Sequence, residues 1–116
     1  MTALIHQPGV VFVKVKLDSV DPFHPELHLT LDQEVILIGR DGDAQVRLED
    51  RWISPRHCEI SQERGALVVQ DLKSRHGTLV NGAVVQRSPL LPGDDLTIGI
   101  RTFRVWYQRP AIQGIP

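Results

Sequence analysis

Residues 78–85 read Thr78-Leu79-Val80-Asn81-Gly82-Ala83-Val84-Val85. Asn-Gly tolerates positive φ at both central positions of a two-residue turn, and apolar residues stand on either side of it, so this segment predicts a tight β-hairpin. Outward from it, the chain repeats one habit: short alternating runs, each stopped by a turn. Upstream, Ala66–Gln70 is rich in β-branched residues, Gly65 marks a turn, and His57–Gln62 alternates His57, Glu59 and Ser61 against Cys58 and Ile60. Glu34–Ile38 delivers Gly39-Arg40 at its end, Asp41-Gly42-Asp43 is a turn by composition, and Val46 and Leu48 mark a short edge. Nearer the N-terminus, Glu26–Leu31 sets Leu27, Leu29 and Leu31 against His28 and Thr30. Val10–Leu17 points Val11, Val13 and Val15 inward and Lys14 and Lys16 to water. Downstream, Leu91-Pro92-Gly93-Asp94 is a turn, and Leu96–Ile98 and Thr102–Tyr107 form the last strands around Gly99. No ten-residue segment carries apolar residues at helical spacing. About ten short strands predict an all-β, antiparallel sandwich.

Composition bounds the rest. With 116 residues, 41% of them hydrophobic, the chain makes one domain with one core. Residues 1–9 are read as a loose N-terminus, 10–108 as the domain and 109–116 as a linker-like tail, which suggests a piece of a longer protein. Thirteen basic and fourteen acidic residues are scattered, so the footprint of a nucleic-acid or membrane binder is missing. The single Cys58 excludes an internal disulfide, and neither a membrane span nor a signal peptide is visible, so a cytoplasmic setting is expected. His24 and His28 have no partners at metal-ligand spacing, and no metal or cofactor is expected. A monomer is the simpler oligomeric reading.

Three polar clusters fall where the apolar runs stop: Gly39-Arg40, Ser54-Pro55-Arg56-His57 and Ser74-Arg75-His76-Gly77-Thr78. In a sandwich, loops gather at the two ends, so these clusters can meet although they are far apart in sequence. An arginine fork, a serine hydroxyl and a Gly-containing turn are the groups that hold a phosphate. Catalysis is not indicated. Ser54 and His57 would point to opposite faces of a regular strand, and neither a nucleophile elbow nor a metal cluster appears.

Read in series, these motifs resemble the forkhead-associated (FHA) domain family. The residues that carry the likeness are Gly39-Arg40, Ser54-x-x-His57, Asp71-x-x-Ser74-x-x-Gly77-Thr78-x-x-Asn81-Gly82 and Leu91-x-Gly93-Asp94-x-Leu96-x-Ile98-Gly99. The resemblance implies an eleven-strand sandwich of the FHA and SMAD-like kind, acting as a phosphothreonine-binding adaptor in signalling. The phosphopeptide contacts expected on this reading are Arg40, Ser54, His76 and Arg75, the last by its side chain or its backbone N–H. Gly39, His57, Asp71, Ser74, Gly77, Thr78 and Asn81 would support them, with His57 packed inside to hold the serine loop. Two residues depart from the family pattern. His76 stands where asparagine is usual, and an imidazole offers a single contact, or a cation beside the phosphate, in place of a two-point amide grip. Pro55 stands where a basic or amide side chain is common and donates nothing. Arg56 or Arg75 would have to compensate. The competing reading is an interaction or oligomerisation module on the same sandwich that ignores phosphate. Trp52 is read as a loop aromatic that either touches ligand or covers core, and the stretches around Trp52 and Arg87 are read as loops that inspect the flanking peptide.

Overall fold

A computed structural model describes residues 13–22 and 28–108. The expected loose N-terminus, the tail at 109–116, the strand start at Val10, and Val11, His24 and Leu27 all lie outside the described residues.

Eleven strands and no helix make up the described residues: β1 Val15–Ser19, β2 His28–Leu31, β3 Val35–Gly39, β4 Val46–Arg47, β5 Cys58–Glu63, β6 Ala66–Asp71, β7 Thr78–Val80, β8 Ala83–Val84, β9 Arg87–Leu90, β10 Asp95–Ile98 and β11 Arg101–Trp106. They form two sheets, ordered β2-β1-β11-β10-β7-β8 and β4-β3-β5-β6-β9. Alternation decides which side chains enter the space between the sheets. From one sheet come Val15, Leu17, Leu96, Ile98, Phe103 and Val105; from the other come Ile36, Ile38, Ile60, Leu67 and Val69, all fully buried. Each contributes on the order of 1.5–3 kcal/mol by leaving water. The hairpin at Asn81-Gly82 forms as its sequence demands, with φ of 51° and 84° at the two turn residues and β7 paired to β8.

Two features depart from the simple pattern. β4 runs parallel to β3, pairing Ile38 with Val46 and Gly39 with Arg47, which places β4 at the edge of an otherwise antiparallel sheet. The stretch at Arg87, expected to be loop, is β9, paired with β6 from Leu67↔Leu90 to Gln70↔Arg87. Pro89 hid it. A proline cannot donate to a ladder, but β9 is an edge strand and needs to pair on one side only.

Register also fixes which loops share an end. Cys58 lies opposite Asp71 and Ile38, and Thr78 lies opposite Ile98. The loops after β3, before β5, between β6 and β7, and between β10 and β11 therefore open on one end of the sandwich.

Candidate functional site

At that end, backbone meets backbone. The Arg40 N–H donates to the Ser54 carbonyl at 3.0 Å, Asp41 N–H to the Pro55 carbonyl at 3.0 Å and His57 N–H to the Ile38 carbonyl at 2.9 Å. Gly39 permits this approach, because a Cβ there would lie 2.1 Å from the Pro55 carbonyl oxygen. Arg40 and Ser54, fourteen positions apart in the chain, are thus held side by side.

His57 joins the second cluster to the third. It is fully buried; its Nδ1 accepts the Ser54 N–H at 3.1 Å and its Nε2–H donates to the Gly77 carbonyl at 2.8 Å. This pair of bonds selects the neutral Nε2–H tautomer. Burial lowers the pKa of the ring and outweighs the opposing pull of the Gly77 carbonyl and the Asp71 carboxylate, while nearby His76 adds to the lowering. Alternation alone assigns His57 to the same face as Glu59 and Ser61. It sits one residue before β5 begins, where the strand's alternation does not yet apply.

Asp71 shapes the third cluster. Its carboxylate accepts the Ser74 N–H at 3.1 Å, the Ser74 hydroxyl and the Thr78 hydroxyl at 2.7 Å. Ser74 Oγ in turn accepts the Gly77 N–H at 3.0 Å. Partial burial pushes the Asp71 carboxyl up, but the bonds from Ser74 and Thr78 outweigh it and leave the group below the usual carboxylate range. Positive φ at Lys73 (58°) and Gly77 (89°) completes the tight loop.

The candidate contacts lie on this frame. Ser54 Oγ accepts the Arg75 N–H at 2.9 Å, which joins the second and third clusters directly. That bond engages the Arg75 amide, leaving its side chain as the donor, while the Ser54 hydroxyl hydrogen stays available to a ligand. Arg40, Arg75 and His76 are exposed. The guanidinium groups of Arg40 and Arg75 make no ion pair among the described residues, whereas Arg56 is 3.6 Å from the Asp43 carboxylate. Of the two arginines considered as substitutes for the donor that Pro55 lacks, Arg75 is the unpaired one. With both nitrogens of His57 engaged, neither serves as base to the Ser54 hydroxyl.

His76 is not alone. Its ring meets Trp52 edge to face, with centroids 4.9 Å apart and planes at 68°. The Arg51 guanidinium lies over the same indole, 5.2 Å from its centroid. Sequence reasoning left Trp52 ambiguous because the contact joins residues of two different loops. Asn81 is at the opposite end, where its amide donates to Asp94 at 3.0 Å and its carbonyl accepts the Asp95 N–H at 2.9 Å. It therefore ties turns together, and among the described residues none of its hydrogen bonds reaches the binding loops. Arg87 is ion-paired with Glu63.

The FHA domain model matches residues 36–99, more than half of the chain and all three clusters. The chain belongs to the FHA domain family. Among curated relatives, this FHA domain is 44% identical over 63 residues to the FHA domain-containing protein FhaA of Mycobacterium tuberculosis, a match covering 54% of this chain and 12% of that protein. It is 39% identical over 69 residues to the glycogen accumulation regulator GarA of Mycolicibacterium smegmatis, covering 60% and 44% respectively. The chain thus spans less than half the length of these relatives. A solved FHA domain from a study of phosphothreonine-dependent FHA interactions superposes with a TM-score of 0.74 at 35% identity, over 84% of this chain and 99% of the other. The FhaA FHA domain, solved in complex with the intracellular domain of another protein, superposes with a TM-score of 0.68 at 35% identity, over 80% and 98%.

Proposed function

We propose that this FHA domain is a phosphothreonine-dependent protein–protein interaction module, acting as a signalling adaptor. One observation carries the reading: the Ser54 hydroxyl oxygen is fixed by the Arg75 amide while the Ser54 carbonyl is fixed by the Arg40 amide. Two unpaired guanidinium groups and a free hydroxyl hydrogen thus belong to one hydrogen-bonded assembly. A phosphothreonine brings a charge of about -1.5 to -2 and three acceptor oxygens, which matches that donor set. Arg40 grips the phosphate as a fork, Ser54 donates its hydroxyl, Arg75 adds a second cation, and His76 contacts the peptide beside it.

Charge-assisted hydrogen bonds contribute roughly 1.5–3 kcal/mol each, against an association cost of roughly 4–15 kcal/mol. The phosphate alone therefore supports weak binding, and the flanking peptide supplies the rest.

Titration of one peptide as phosphothreonine, phosphoserine and unmodified threonine tests the reading. Binding of the phosphothreonine form is expected, with Arg40→Ala weakening it by about 10- to 150-fold and leaving the melting temperature unchanged. Equal affinity for phosphorylated and unmodified peptide, or indifference to Arg40→Ala, would replace it with a phosphate-independent module.

A further inference from the structure

The phosphate site leaves one of its arginines unaccounted for. Nine arginines lie among the described residues, and five of them, Arg47, Arg56, Arg87, Arg101 and Arg104, are ion-paired. Arg64 is in the turn between β5 and β6, at the far end. The remaining three, Arg40, Arg51 and Arg75, are all on the loops of the candidate site and all exposed. A phosphate dianion is matched by two of them.

Arg51 differs from an ordinary surface arginine in what it rests on. Its guanidinium lies over the Trp52 indole, and Trp52, though exposed, is held through its backbone and its ring. The Trp52 N–H donates to Asp50 Oδ1 at 2.9 Å. Its carbonyl oxygen would be only 2.8 Å from a Cβ at Gly99, and the next residue, Ile53, is buried in the core. Its ring is braced by His76, the neighbour of Arg75. A guanidinium held over an aromatic face keeps its N–H groups free to donate to a carboxylate or a phosphate. The acids nearby do not use them: Asp50 holds the Trp52 amide, Glu49 pairs with Arg47 at 3.8 Å and Asp43 with Arg56. Asp41 stands beside Arg40 in the chain.

We propose that Arg51, seated on Trp52, forms a second anion subsite that reads an acidic group of the same ligand, close in sequence to the phosphothreonine. This deepens the phosphopeptide reading and rests on it. The separation is set by the shared indole. Arg51 and the His76 ring each lie about 5 Å from its centroid, so they are at most about 10 Å apart. An extended peptide advances about 3.3 Å per residue, which places the acidic residue within about three positions of the residue that His76 touches. The shared chemistry is an anion with paired oxygens, supplied by aspartate or glutamate or by a second phosphorylated residue.

The experiment is a set of phosphothreonine peptides in which one flanking position at a time carries glutamate, glutamine or a second phosphothreonine, titrated against the wild type, Arg51→Gln and Trp52→Ala. The wild type is expected to favour glutamate over glutamine at one position by about 3- to 10-fold, and the second phosphate by at least as much. Arg51→Gln should erase that preference while keeping discrimination between phosphothreonine and threonine. Trp52→Ala should reduce the preference through loss of the guanidinium's seat. If the wild type discriminates phosphothreonine but shows no acidic preference, or if Arg51→Gln weakens glutamate and glutamine peptides equally, the subsite is overturned and the phosphopeptide reading stands. If the wild type ignores the phosphate, both fall. Preference for the second phosphate without preference for glutamate assigns the subsite to phosphate, and preference for both assigns it to anions generally.

Discussion

The two ends of this sandwich are built by different physics. At the end away from the site, β5 turns into β6 through Arg64-Gly65, β7 into β8 through Asn81-Gly82, and β9 into β10 through residues 91–94. Each is short, and positive φ at Arg64, Gly65, Asn81, Gly82 and Gly93 closes it locally. At the other end, the loops at 40–45, 48–57 and 72–77 are longer and held by bonds between residues distant in sequence. His57 to Gly77 spans twenty positions, and Arg75 to Ser54 spans twenty-one. Local turn chemistry dominates one end, where Asn81 adds a tie to Asp94 and Asp95, and a polar network that exists only after folding dominates the other, which also holds the short Gly99 turn between β10 and β11. The lesson is that the backbone of the binding loops is ordered by mutual bonds, so a change in a residue that makes one of those bonds is felt in all three loops.

The largest expected effect breaks that coupling. His57→Ala removes two buried hydrogen bonds and leaves a cavity, and should destabilise the domain by about 2–4 kcal/mol in urea denaturation. The same variant should lose phosphopeptide binding by more than its unfolded fraction explains, because Ser54 and Gly77 lose their common anchor. A matched lesion at the other end sharpens the contrast. Gly82→Ala places a side chain at a φ of 84° with open space around it, so the cost is purely conformational, about 1–2 kcal/mol. Affinity for phosphopeptide, measured on the folded protein, should not change. A loss of affinity in Gly82→Ala equal to that in His57→Ala would dissolve the distinction between the ends.

The smallest effect is set by pH. His57 has a folded pKa below its ordinary value of 6.5 because burial penalises the imidazolium. The neutral ring therefore contributes stability that is fully present above about pH 6.5 and is lost as pH falls through the lower folded value. Urea midpoints taken from pH 8 down to 5 should decline below that point, and His57→Gln should flatten this slope. Asp71, also held below its ordinary range, follows the same sign in a more acidic window: its contribution is present above about pH 3.8 and lost as pH drops through its folded value.

Much of this contrast was written in the chain. Asn81-Gly82, Gly65 and Gly93-Asp94 announce turns because their backbone preferences are local, and the alternating runs announce strands because one face is buried. The sandwich follows from those two signals. The clusters at Arg40, Ser54 and Ser74–Thr78 were visible as polar stretches, but sequence carries no record of their mutual hydrogen bonds. For that reason the Arg75 amide could not be told apart from a ligand donor until Ser54 Oγ was seen to occupy it. The Arg51–Trp52–His76 stack was invisible for the same reason, since its members come from two loops. β9 was missed on a different ground: Pro89 argues against a strand unless the position is known to be an edge, and edges are a property of the whole sheet.

The approach of Gly39 to the Pro55 carbonyl has a consequence for how such a module changes its choice of ligand. Main chain pressed on main chain sets where Arg40 and Ser54 stand, and apart from the missing Cβ at residue 39 that contact is indifferent to the side chains around it. Substitutions elsewhere on the same loops can therefore alter which neighbouring residues are welcomed while the hold on the phosphoryl group stays where it was. An engineer seeking to readdress the domain would leave residues 39 and 40 untouched and work at residues 51, 52 and 76.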